Sequence, residues 1–285
     1  MTETLRLTGK PVADSLKEKI KTRVSNLNKK GIVPTLKIIR VGKREDDISY
    51  EKSILKNCKA LGIKGIVEEL DQNVTMKELT KTIEAANNDV NIHGIMLFRP
   101  LPKHLNQDIL SNAINPQKDV DCMSPANLEK IFTSKNAIFA PCTPKAVVEM
   151  LKFYKVPLIG ANIAVAGRSL VVGKPLAMLL LNENATVTIC HSKTKNMKKI
   201  TSEADVVVAA IGKAKFMNGD FFTESSVVID VGINDDGSGK MCGDVDYDDT
   251  FGKVKALNPA MGGIGAITTA ILMDQTVEAC EILTA

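Results

Sequence analysis

The chain has 285 residues, 44% hydrophobic and 25% charged, enough to build a large buried core and unlike a disordered or fibrous composition. Aromatic residues make up only 4% and tryptophan is absent, which argues against stacking platforms for single-stranded nucleic acid. A balance of 37 basic and 33 acidic residues is too mild to point to a nucleic-acid or membrane partner.

Short β-branched runs alternate with amphipathic stretches. Residues 36–41 predict a buried strand, 46–60 a helix closed by Gly62, and 65–70 a second strand. Residues 75–88 predict a helix, with Thr75 and Glu78 spaced as a capping box, and 92–98 a third strand. This βαβ rhythm predicts an α/β fold with a mostly parallel sheet and sites at the carboxyl ends of its strands. Arg99-Pro100-Leu101-Pro102 then enforces an irregular loop, where a ligand could meet the sheet. A helix over 145–155 precedes a second alternation, with strands at 162–166, 186–190, 205–209 and 226–231 and a helix at 174–181. Residues 234–249 read as a Gly/Asp-rich, hairpin-like stretch, and 264–282 as a long final helix.

Six scattered cysteines with no CxxC pair read as reduced thiols, and the three histidines lack metal-ligand spacing, so no metal site is expected. The first twenty residues lack an apolar signal core, and no run reaches the roughly 18 apolar residues that would span a bilayer. The expected location is the cytoplasm.

The strand at 162–166 runs into Gly167-Arg168-Ser169, and Gly173 opens the next helix. Two glycines permit close backbone approach, and a helix N-terminus offers N–H groups and a positive dipole end to a phosphate. The spacing is not G-x-G-x-x-G, and alone such a turn is often a mere connection. The next strand ends at Cys190-His191-Ser192-Lys193, where an NAD-selective fold would place a carboxylate for the ribose 2′-OH. A hydroxyl and cations there favour a 2′-phosphate held by Arg168, Ser192 and Lys193, hence NADP. The plainer alternative is that these are solvated loop cations.

Several stretches together resemble the 5,10-methylenetetrahydrofolate dehydrogenase/cyclohydrolase family. They are the helix with Tyr50, the run from His93 to Phe98 with Pro100-Leu101-Pro102, Lys118-Asp119-Val120-Asp121, Pro141-Cys142-Thr143-Pro144, Gly167-Arg168-Ser169, Val172 to Pro175, Cys190 to Thr194, Asp230 to Asn234, Gly243 to Asp246, and Met261 to Gly265. The resemblance implies an NADP-dependent homodimeric enzyme acting on tetrahydrofolate substrates. It implies a folate-binding catalytic domain over 1–141, completed by a helix over 264–285, a Rossmann NADP domain over 142–263, and a cleft between them. It further implies cofactor contacts at Gly167, Arg168, Ser169, Gly173, Ser192 and Ile233, and substrate contacts at Tyr50, Phe98, Pro100, Asp121, Gly262 and Gly263. Asp121 would hold the pterin, because one carboxylate accepts twice from its adjacent N–H and amino donors.

The sequence departs from that pattern at two reaction-site positions, besides Met261 and Ala266 in place of prolines and Ala146 in place of glycine. The family's acid/base lysine, four residues after the tyrosine, is Ile54 here, and its glutamine is Phe98, with Arg99 following. Lys52 and Lys56 lie two residues to either side of Ile54, about 200° around a helix. Lys56 is therefore a catalytic candidate, with Tyr50 and Asp121, only if the helix is kinked. Hydride transfer needs alignment rather than a proton shuttle. Hydrolysis of the methenyl product needs an acid/base whose loss costs about 100- to 10,000-fold. The expectation is an active dehydrogenase with weak or absent cyclohydrolase. The alternatives are a fully bifunctional enzyme that also makes 10-formyltetrahydrofolate, or a non-catalytic folate- or nucleotide-binding protein.

Overall fold

A computed structural model describes residues 3–133 and 137–285. In chain order the elements are β1 (Leu5–Arg6), α1 (Gly9–Lys29), β2 (Thr35–Val41), α2 (Glu45–Leu61), β3 (Lys64–Leu70), α3 (Met76–Asn88), β4 (Gly94–Leu97), α4 (Gln107–Ala113), α5 (Pro125–Thr133), α6 (Cys142–Phe153), β5 (Asn162–Ala166), α7 (Gly173–Asn182), β6 (Thr186–Cys190), α8 (Met197–Ser202), β7 (Val206–Ala209), β8 (Val227–Asp230), β9 (Asn234–Asp235), β10 (Met241–Cys242), α9 (Tyr247–Thr250), β11 (Ala256–Leu257) and α10 (Ile264–Leu283). They form two compact units, one of residues 15–140 with 269–285, the other of residues 1–14 with 141–268. Among the described residues, no helix is long and apolar enough to cross a membrane.

The first unit holds a parallel three-stranded sheet in the order β3-β2-β4. β2 and β4 are buried almost throughout, as parallel strands covered on both faces must be. Ile39, Leu97, Leu79, Ile83 and Leu110 form one core cluster against α3 and α4. Thr75 and Glu78 close the capping box expected for α3. α10 is tied into this unit by named contacts. The Arg23 guanidinium donates to Asp274 and Glu281, the Gln275 amide donates to the Val120 and Ala140 carbonyls, and the Cys58 thiol meets the Met273 sulfur at 3.5 Å.

The second unit holds a six-stranded sheet in the order β1-β11-β8-β7-β5-β6, every pair parallel. Valines and alanines of β5, β7 and β8 fill its core with Met217, Phe221 and Leu257. The segment around β1 packs with this unit: Leu5 and Arg6 pair with Ala256 and Leu257 on the sheet edge, and the Tyr154 hydroxyl donates to the Thr8 carbonyl. The stretch after β8 is a hairpin only in part, β9 pairing antiparallel with β10 before the chain turns into α9.

Candidate functional site

In the first unit, α2 carries Tyr50 on its buried side. Ile54, Cys58 and Leu61 follow it at helical spacing as the apolar stripe that faces the core. Buried Arg40 on β2 fixes the helix by donating from Nε to Glu51 (2.7 Å) and from Nη2 to Glu69 (2.9 Å). Phe98, just past β4, is buried and stacks on the Tyr50 ring with centroids 5.8 Å apart and planes 21° from parallel. Arg99 follows, its Nη2 3.7 Å from the Asp121 carboxylate. Burial pulls the Arg99 pKa below the usual arginine range, with the Asp121 and Asp119 carboxylates opposing it.

The Lys118–Asp121 motif divides its labour. The Lys118 ammonium donates to the carbonyls of Ala86, Asn87 and Asp89, with burial lowering its pKa. The buried Asp119 carboxylate accepts from the Met123 and Ser124 amides and from the Asn127 side chain. These two anchors shape the turn that presents Asp121, which stays partly exposed. Tyr50, Phe98 and Asp121 thus share one surface, with Arg99 among them. Pro100 is exposed and borders a second cavity of about 700 Å3, rimmed by Lys43, Arg44 and Lys103.

Lys56 does not join them. It is exposed, as is Lys52, while Ile54 between them is fully buried. A two-residue step along a helix turns the side chain by about 200°, so the candidate amine faces away from Tyr50. Position 54 packs against the core instead.

In the second unit, β5 runs through Ala166 into the Gly167 turn. Gly167 has φ +141°, and a Cβ there would lie 2.1 Å from the Ala210 carbonyl oxygen, so only glycine fits. The Ser169 hydroxyl accepts from the Val172 amide just ahead of α7. Gly167, Arg168, Ser169 and Ser192 line a cavity of about 410 Å3 at the carboxyl ends of β5 and β6. The turn after β6 is set by the His191 amide donating to Thr194 Oγ1 and the Lys193 amide donating to His191 Nδ1. Gly173 is buried against Gly167, and Ile233 is 56% exposed and outside the cavity lining. Gly262 and Gly263 sit in a loop of this same unit, where the Gly9 amide donates to the Gly262 carbonyl. Sequence reading missed Lys213 and Phe216, which line the cavity together with Arg168. No motif marks them, although a turn just past a strand's carboxyl end is a place to look.

Behind that turn lies Asp230, at the end of β8. Burial pushes its carboxyl up to about 6, against the pull of amide donors from Val245, Asp244 and Gly232. The folded state therefore holds a proton that the unfolded chain has released between pH 4 and 6, so this group's contribution to stability falls as pH rises through that window. The expected loss is roughly 3 kcal/mol. A carboxyl 13C titration of Asp230 should show a midpoint near 6, and a midpoint below about 5 would contradict this.

A model of the "Tetrahydrofolate dehydrogenase/cyclohydrolase, catalytic domain" matches residues 7–121, and one of the family's "NAD(P)-binding domain" matches residues 141–284. Bifunctional protein FolD 1 of Desulfitobacterium hafniense is 50% identical over 275 residues, covering 96% of this chain and 98% of that protein. Bifunctional protein FolD of Clostridioides difficile is 50% identical over 274 residues, with 96% of each covered. Among solved structures, the bifunctional FolD enzyme of Campylobacter jejuni superposes with TM-score 0.95 at 37% identity, covering 98% of this chain and 99% of that one. The Trypanosoma brucei enzyme, solved with NADP cofactor and inhibitor, superposes with TM-score 0.94 at 32% identity over 99% of both chains. On these matches and on the geometry of its two units, the chain belongs to the tetrahydrofolate dehydrogenase/cyclohydrolase family.

Proposed function

We propose that the chain oxidises 5,10-methylenetetrahydrofolate to 5,10-methenyltetrahydrofolate by hydride transfer to NADP, and hydrolyses that product to 10-formyltetrahydrofolate. The observation that carries this reading is the 50% identity, over 96% of the chain, with relatives named bifunctional. It favours retention of both activities over the weak hydrolysis expected from Ile54.

The Asp121 carboxylate accepts the pterin's paired N–H donors, with the Arg99 guanidinium 3.7 Å away beside it. The stacked Tyr50 and Phe98 rings form an apolar wall beside the reacting carbon. The basic rim of the 700 Å3 cavity suits the carboxylates of the folate's glutamate end. Gly262 and Gly263 are substrate contacts on the resemblance alone.

The cofactor pocket fits a dinucleotide phosphate: Gly167 admits backbone approach, α7 begins just beyond, and Arg168 and Ser192 offer a cation and a hydroxyl. Bound there, NADP supplies the hydride acceptor. The methylene bridge leaves this step as a cation, with no proton removed. Hydrolysis adds water and releases one proton. We place this work in the cytoplasm and in a homodimer, as the resemblance implies.

A second reading, a dehydrogenase with slow hydrolysis, is favoured by one observation, the fully buried Ile54 on the Tyr50 face of α2. The test is to follow purified protein with methenyltetrahydrofolate and, separately, with methylenetetrahydrofolate and NADP. Hydrolysis clearly above the buffer rate is expected, with Lys56→Ala within twofold of wild type. Hydrolysis at the buffer rate with NADP still reduced selects the second reading, and failure to reduce NADP removes both.

A further inference from the structure

The cavity behind Arg168 has a wall whose shape is set from outside the cavity. Asp244, fully buried, accepts four hydrogen bonds on one carboxylate: from the amides of Ile211 (2.5 Å), Gly212 (3.0 Å) and Lys213 (2.8 Å), and from the Asn234 side-chain amide (2.9 Å). Three consecutive N–H groups converging on one anion fix the turn after β7 in a single conformation. Gly212 takes φ +73° within it.

That turn is a working surface. Ile211 and Lys213 line the cavity with Arg168 and Ser192, and the Lys213 ammonium lies over the Phe216 ring, 5.6 Å from its centre. Ala210, at the head of the turn, stands against the Gly167 backbone. Asp244 is itself held from behind, because its amide donates to Asp230, whose carboxylate also accepts from Gly232 and Val245. A Cβ on Gly243 would collide with that Asp230 carboxylate, which leaves the backbone no room to slide.

We infer that Asp244 is a positioning residue for the dinucleotide: through the 211–213 turn it sets the cavity wall that carries Lys213 and Phe216, without touching the ligand itself. The inference rests on the reading of this cavity as the cofactor pocket. An asparagine at 244 keeps the shape but points an NH2 at two of the four donors, so the turn must open.

The experiment titrates the full-length protein with NADPH and measures the KM of methylenetetrahydrofolate for wild type, Asp244→Asn and Gly212→Ala. Asp244→Asn should raise the NADPH dissociation constant at least about tenfold while leaving the folate KM within about twofold. A general loss of structure would move both together. Gly212→Ala strains the turn directly, with no atom near the added methyl, and should weaken NADPH about threefold or more. The inference is overturned if NADPH binds a folded Asp244→Asn as tightly as wild type, or if both constants rise together. Where Asp244→Asn does not fold, unchanged NADPH binding in Gly212→Ala overturns it. Wild-type protein that binds neither NADPH nor NADH overturns the cofactor reading and this inference with it. Normal wild-type binding with unaffected variants overturns this inference alone.

Discussion

Asp121→Asn lowers kcat/KM for methylenetetrahydrofolate by about 100- to 1000-fold and leaves NADPH binding within a factor of two. A carboxylate that accepts two hydrogen bonds from a planar donor pair loses charge and one acceptor when it becomes an amide, and bonds to a charged partner contribute about 1.5–3 kcal/mol each. At 1.36 kcal/mol per tenfold in rate, the loss of most of that pair spans the stated range. Asparagine is the informative choice because it keeps the side chain's shape beside Arg99, whose Nη2 lies 3.7 Å from the carboxylate. Alanine would also remove the side chain's volume beside the largely buried guanidinium, and would confuse lost packing with lost recognition. Paired steady-state assays and NADPH titration check the result. A variant within about fivefold of wild type would mean that Asp121 does not hold the pterin.

The contrast between Asp121 and its neighbours shows where sequence reading stops. Lys118-Asp119-Val120-Asp121 is legible as a motif, yet nothing in the letters separates the two charges that build the turn from the one that faces outward. Only the carbonyl cage around Lys118 and the amides on Asp119 make that division. The parallel core strands were readable as short apolar runs bounded by glycines or helical periodicity, with the capping box of α3 marking the end of β3's loop, and the Gly167 turn was readable because its strand, glycine and helix are adjacent in sequence. β1 and β11 were not, since two-residue strands carry no periodicity and their pairing joins Leu5 to Ala256. α1 escaped the reading, although Ile20, Val24 and Leu27 at helical spacing mark its buried face. Lys56 illustrates the opposite case: helical geometry already argued against it, and its exposure beside buried Ile54 agrees with that geometry. Asp244 lay in a recognised stretch whose purpose is visible only when three amides from a turn thirty residues earlier converge on it.

Arg168→Ala raises KM for NADP by about 10- to 100-fold and changes KM for NAD by less than about threefold, so the enzyme loses most of its preference between the two. One group distinguishes the two dinucleotides, the 2′-phosphate of NADP. No carboxylate follows β6 to hold a ribose hydroxyl, whereas Arg168 and Ser192 line the same cavity. A guanidinium binds a phosphate through two parallel charge-assisted bonds, which solvent screening at exposed Arg168 cuts to about 1.5–3 kcal/mol for the pair, and that term exists only when the 2′-phosphate is present. Arg168 is exposed, so its removal leaves no buried partner uncompensated, and the unfolding midpoint should stay within about a degree of wild type. Arg168→Lys keeps the charge but not the fork, and should recover only part of the affinity. Raising ionic strength should weaken NADP binding in wild type more than in Arg168→Ala, because screening acts on a charge pair that the variant lacks. Equal losses for NADP and NAD would instead assign Arg168 to the pyrophosphate common to both, leaving Ser192 and Lys193 as the groups that meet the 2′-phosphate.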